Sequence, residues 1–239
     1  MLLTFDSIAG LPQEEAERFL KLVDNYNTHS FKNDKKNKYY EGNISLNDVN
    51  LGIALPEGLK NLEIGCAWGA KAVDVLAARS RFDGFVGAEG NEIIDVDRIA
   101  VANNLIAEYE KACRDELKYG CTFATLSKDD EIGCKIRFHS PQTASALWDG
   151  EKGRVSCGFA IIDTQPNNED DSTWMPTLIY YYTDTAVWVM RESYGEWIAE
   201  EYPHKMGRPL IEPLIWNATS NKPFGRSRIK EPIRRRIAG

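Results

Sequence analysis

The strongest chemical suggestion in the chain is the run Glu63-Ile64-Gly65-Cys66-Ala67-Trp68-Gly69. Glycines at Gly65 and Gly69 would let a backbone turn tightly from strand into helix and approach a nucleoside-bearing cofactor. Glu89, in Phe85-Val86-Gly87-Ala88-Glu89, follows Gly69 by 20 residues, the spacing at which an acid meets a ribose hydroxyl in dinucleotide sites. Asp163-Thr164-Gln165-Pro166 imitates a later element of such a site. Other constellations are weaker. His29, His139 and His204 fall in three separate segments without H-x-x-x-H or H-E-x-x-H spacing, which predicts surface or loop histidines rather than a metal ligand or general base. Gly65 to Lys71 lacks the spacing of a phosphate loop, and no G-x-S-x-G elbow occurs. Cys66, Cys113, Cys121, Cys134 and Cys157 are odd in number and form no C-x-x-C pair, which predicts reduced, mostly buried thiols rather than disulfides or a zinc site.

The Gly65 run resembles the first motif of methyltransferases that use S-adenosylmethionine, with Glu63, Gly65, Gly69 and Glu89 as its binding residues. The elements around it argue against that fold. A central parallel strand is buried on both faces and nearly all apolar, yet Leu59-Lys60-Asn61-Leu62-Glu63-Ile64 is half polar. Ala67 stands where the middle glycine is usual. A doubly wound sheet also needs helices between its strands, and from Cys121 to Trp216 the sequence offers one short helical possibility, Pro141 to Trp148.

The rest of the chain divides by period. A helix follows Leu11-Pro12, with Ala16, Phe19, Leu20, Val23 and Tyr26 on one face and Glu14 and Glu15 at its positive end. The polar run from Asn27 to Lys38 reads as an exposed loop. Trp68 to Arg79 is apolar nearly all round and reads as a buried helix, and Glu92 to Lys118 as one or two more, broken near Asn103-Asn104 and stopped by Gly120. Beyond Gly120 apolar residues alternate: Cys121 and Phe123, then Ile136 and Phe138, then Val155, Cys157, Phe159 and Ile161. That pattern predicts antiparallel strands. Thr177 to Tyr182 and Thr185 to Met190 form a hairpin, Glu196 to Tyr202 and Leu210 to Trp216 add two strands, and Asn217 to Pro223 is a polar turn before a helix from Arg226. The expected fold is α+β, N-terminal helices packed on a mainly antiparallel sheet. Its parts are 1–120 (mainly helical), 121–225 (antiparallel β) and 226–239 (the start of a basic helix).

Composition excludes several classes. With 43% hydrophobic and 27% charged residues in a chain of 239, the sequence is that of a globular protein, not a disordered or fibrous one. No window reaches the ~18 apolar residues of a membrane span, and the N-terminus lacks the order of a secretory signal, so no membrane association or export is expected. The net charge of −7 disfavours general nucleic-acid binding, but the charge is unevenly spread. From Lys222 to Gly239, seven Lys or Arg face one acid, a balance of +6 that leaves −13 on the rest.

The segment Leu210-Ile211-Glu212-Pro213-Leu214-Ile215-Trp216-Asn217, continued by Asn221-Lys222-Pro223-Phe224-Gly225-Arg226-Ser227, resembles the portal proteins of tailed bacteriophages of the siphophage type. Other stretches match the family in the same order: Tyr39-Tyr40-Glu41-Gly42, Leu51 to Pro56, Trp68 to Arg79 with Asp83-Gly84-Phe85, Asn103 to Ala112, and Lys118 to Phe123. Family members usually carry Pro where Gly69 stands, and that departure creates the methyltransferase-like run. The likeness covers the N-terminal wing, roughly Tyr39 to Ile237. Family members continue into stem helices, clip and crown, so the resemblance implies a truncated or split gene product or an isolated wing.

The resemblance further implies a non-catalytic structural subunit of a ring of about a dozen copies at one capsid vertex, through which double-stranded DNA is packaged and ejected. Partners would be other copies of the chain, terminase, capsid and tail-adaptor proteins. The location would be the virion, and the host cytoplasm during assembly. No catalytic, cofactor-binding or metal-binding residue is expected. A non-viral interaction module is the remaining alternative.

Overall fold

A computed structural model describes residues 2–5, 7–48, 56–60, 62–63, 68–84, 96–166 and 174–229. In chain order its elements are β1 (Ile8–Ala9), α1 (Gln13–Glu41), α2 (Trp68–Ala77), α3 (Val96–Ala102), α4 (Leu105–Tyr119), β2 (Cys121–Asp129), β3 (Gly133–His139), β4 (Ala144–Asp149), β5 (Arg154–Pro166), β6 (Trp174–Tyr182), β7 (Ala186–Ser193), β8 (Glu196–Pro203) and β9 (Ile211–Ile215). The fold class is α+β, as the change of period at Gly120 predicts. Two compact units interleave along the chain: Met1–Phe31 with Phe123–Pro213, and Lys32–Thr122 with Leu214–Gly239.

The first unit is built on a six-stranded sheet in the order β1-β8-β7-β6-β5-β4. Every pairing is antiparallel except the short β1–β8 contact. Alternation sends Cys157, Phe159, Ile179, Tyr181, Trp188 and Met190 to one face, and the first half of α1 covers them with Phe19, Leu22, Val23 and Tyr26. Rings meet edge to face: Phe19 lies 5.2 Å from Tyr181 and Tyr26 5.4 Å from Phe159. Each such fully buried side chain contributes about 1.5–3 kcal/mol. Polar tips fix the helix on the sheet. The Tyr181 hydroxyl donates to Glu15 Oε2 at 2.7 Å, Arg18 to the Ser156 carbonyl at 2.8 Å, and the Tyr26 hydroxyl to the Gln142 carbonyl at 2.6 Å. A three-stranded sheet, β3-β2-β9, supplies the rest, and Gly158 leaves the room in which Ile211 rests on β5.

The second unit is helical. Tyr39, Ile44, Val73, Ala77, Cys113, Leu117 and Ile229 form its core. Asn104, at φ 49°, separates α3 from α4, and Gly120, at φ 113°, ends α4 with its N–H on the Glu116 carbonyl at 2.8 Å. Both breaks match the sequence reading.

Four expectations are corrected. Asn27 to Lys38 is helix, not loop: α1 runs unbroken through it for 29 residues. The inward positions there are Ser30 and Asn33, 6% and 7% exposed, so the buried face is polar and hydrophobic periodicity does not register it. Asn27 exchanges hydrogen bonds with the Leu3 backbone at 2.9 and 2.7 Å, and Lys36 donates to the Tyr119 carbonyl at 2.9 Å. Pro141 to Trp148 is not helical either. Ala144–Asp149 is the edge strand β4, because pairing with β5 overrides the helix propensity of its alanines. Of the presumed buried helix α2, only Gly69, Val73 and Ala77 are buried, and Trp68 is 62% exposed. Finally, residues 226–229 are not helical, and the remainder of the expected C-terminal helix lies outside the described residues.

Candidate interaction surfaces

The residues that suggested a cofactor do not assemble into a site. Gly65 and Glu89 lie outside the described residues. Glu63 is exposed and pairs in an isolated bridge with Ser45, Leu59 closes a 3₁₀ turn, Glu57–Leu59, and Asn61 and Ile64 of the presumed strand lie outside the described residues. Gly69 has a packing reason: a Cβ there would collide with the Tyr39 carbonyl, so the glycine lets α2 lie against the end of α1. Among the described residues the sheets lack the parallel frame a doubly wound fold requires, and the methyltransferase reading gains no support there.

The histidines remain apart. His29 is exposed on α1. His139 on β3 sits 2.9 Å from Thr125 Oγ1, and burial, helped by Arg137, pulls it down to about 4. That ring is neutral at physiological pH. His204 follows β8, its Nε2 buried without a hydrogen-bond partner among the described groups. No group of three or more His, Cys, Asp or Glu able to hold a metal occurs among the described residues. Cys113, Cys121 and Cys157 are buried and unbridged, and burial pushes Cys121 up to about 12, far from the thiolate form. Cys66 lies outside the described residues. No helix among them is long and apolar enough to cross a membrane.

A buried cation organises the second unit instead. Lys118 is 8% exposed, with its ammonium 4.3 Å from the Tyr40 ring centre and 5.1 Å from that of Tyr119. Burial lowers its pKa, opposed by the charges of Asp115, Glu41 and Asp74. The Tyr40 hydroxyl donates to Asp74 at 2.9 Å, and Arg114 lies 3.6 Å from the same carboxylate. These contacts tie α1, α2 and α4 together.

The segment with the most distinctive geometry is the basic one, marked in the sequence by its charge and by the family resemblance it carries. Residues 216–229 form a strap over the end of α4. Trp216 N–H donates to the Gly120 carbonyl at 2.8 Å, and Arg226 N–H to the Trp216 carbonyl at 3.0 Å. Ser227 Oγ donates to the Lys118 carbonyl and Arg228 N–H to the Leu117 carbonyl at 2.7 Å, which satisfies two carbonyls the helix end leaves over. Gly225, at φ 71°, passes so close to the Trp216 and Gly120 carbonyls that a Cβ would overlap both. Ile229 is 1% exposed in the helical core. The Arg226 and Arg228 side chains are thereby held outward, both exposed. A shallow open groove of about 420 Å³, lined by Phe82, Asp83, Asp97, Val101 and Ile106, also lies in this unit.

Comparison with known proteins gives one family. The model of the phage portal protein family, SPP1 Gp6-like, matches residues 20–217, most of the chain and parts of both units. No curated protein matched the sequence.

Proposed function

The chain belongs to the SPP1 Gp6-like phage portal protein family, and from that membership we propose that it is a non-catalytic structural subunit of a portal ring, the head-to-tail connector through which DNA is packaged and ejected. Oligomerisation and association with capsid and DNA are general to such a family. The particular reading is that copies of this chain close a ring at one capsid vertex and meet terminase, capsid and tail-adaptor proteins there, with assembly in the host cytoplasm. The family match over residues 20–217 is the observation that carries it. Ring closure needs two different patches on each copy, one meeting the other on its neighbour.

The test is genetic and structural together. Removing the coding sequence for residues 20–217 from the phage that encodes it should leave heads empty of DNA, and an epitope tag on the restored chain should appear at one vertex of purified particles by electron microscopy. DNA-filled heads in the deletion, or label scattered over all vertices, would overturn the reading.

A further inference from the structure

Two exposed surfaces of opposite charge stand out, one on each compact unit. β8 turns Trp197 and Ala199 toward the covered face of its sheet, so Glu196, Ile198, Glu200 and Tyr202 point the other way. All four are exposed, Ile198 at 50% and Tyr202 at 48%. An outward sheet face is ordinarily polar throughout, yet this one alternates carboxylate with large apolar side chain, and the half-buried Tyr180 and Val187 extend it across the neighbouring strands. Glu200 lies 3.7 Å from Arg191, an exposed pair that contributes little. Glu196 has no ion-pair partner among the described residues.

The strap is the counterpart. Its backbone is pinned by three main-chain hydrogen bonds and the Ile229 anchor, so Arg226 and Arg228 are presented with little conformational freedom left to lose. Among the described residues neither guanidinium meets a carboxylate, and Arg226 reaches only the Thr219 hydroxyl at 3.4 Å. In a chain with 36 acids and 29 Lys or Arg, two held, exposed arginines that meet no carboxylate among the described residues are available to an anionic partner. Lys222, Arg226 and Arg228 give the strap a charge opposite in sign to the β8 face, and the Tyr and Arg content of the two surfaces is that of interface centres.

We propose that the outward face of β8 on one copy receives the Arg226–Arg228 strap of a second copy, a head-to-tail contact in which each chain offers both halves. This rests on the self-assembly in the reading above. The contact pairs Glu196 and Glu200 with the two guanidiniums, and the apolar side chains between them exclude water.

Charge reversal tests it. The variants are E196K/E200K and R226E/R228E, at exposed positions, with thermal melts to establish that each still folds. Sedimentation velocity across a concentration series should show the wild type self-associating, more weakly as salt rises. Each reversed variant should need about tenfold or more protein to associate. An equimolar mixture of the two should recover association, because the reversed face of one accepts the reversed strap of the other. Recovery on mixing requires a contact between copies and excludes one within a chain. Reversals that leave association unchanged, or a mixture that stays apart, overturn the inference while the empty-head experiment judges the portal reading separately. A wild type that stays monomeric at every concentration also overturns it. A duplex-DNA titration by fluorescence anisotropy runs in parallel: if R226E/R228E loses DNA binding but not self-association, the strap's anion is phosphate and the inference fails.

Discussion

The two compact units solve the same problem with different materials. The first unit spends its interior on rings and branched chains: Phe19, Tyr26, Phe159, Tyr181 and Trp188 interlock between α1 and the six-stranded sheet. The second has fewer large core side chains among the described residues, and holds its helices by near-contact of backbones at Gly69, Gly120 and Gly225, by a lysine enclosed between tyrosines, and by a strap that caps α4. The first should therefore be hurt most by removing atoms, and the second by adding them.

Phe19→Ala should have the largest effect, a loss of about 3–5 kcal/mol, because the ring is fully buried against Phe159 and Tyr181 and the sheet cannot collapse into the space. Urea denaturation, with hydrogen exchange of the peptides covering β5 to β7, reads it. Gly225→Ala is the converse. One added methyl meets two carbonyls at a backbone conformation that L residues rarely adopt, and should remove about 3 kcal/mol, with exchange rising first in α4 and the strap. A loss under about 0.5 kcal/mol would show that the close approach of backbones does not hold the second unit.

The acid response should come from the first unit. His139 is held below its ordinary 6.5, at about 4, so folding favours the neutral ring. Its contribution is complete above pH 6.5 and is lost as pH falls toward 4, on the order of 1–3 kcal/mol. The urea midpoint should drop over that window in the wild type and less steeply in His139→Gln. The smallest effect is a gain. Tyr194, at φ 53° and fully exposed, occupies the two-residue turn between β7 and β8 with Gly195. Tyr194→Asn suits that turn better and should stabilise the hairpin by about 0.5–1 kcal/mol, visible as a rise in melting temperature.

Legibility followed the same division. The strands of the first unit announce themselves because each buries one face, and Val155, Cys157, Phe159 and Ile161 alternate accordingly. The change from α4 to β2 at Gly120 is equally plain, since helical period gives way to strand period there; the chain passes between units at Thr122 and Phe123. The other passages, at Phe31–Lys32 inside α1 and Pro213–Leu214 inside β9, fall within single elements and leave no mark in composition. The second half of α1 is hidden because its buried residues are polar and matched by hydrogen bonds, and β4 because the alanines and serine that begin it carry no strand preference strong enough to declare itself.

By itself, the sequence determined the fold class, the order of most elements, the absence of a metal-ligand spacing, the charge asymmetry and the resemblance to portal proteins, because these depend on periodicity, counts and local turn residues. Only the tertiary structure decided what Gly69 and Gly225 are for, which arginines are held outward and which face of β8 is left uncovered. Those properties arise where segments distant in the chain come together, and spacing along a sequence carries no record of which backbone another will touch.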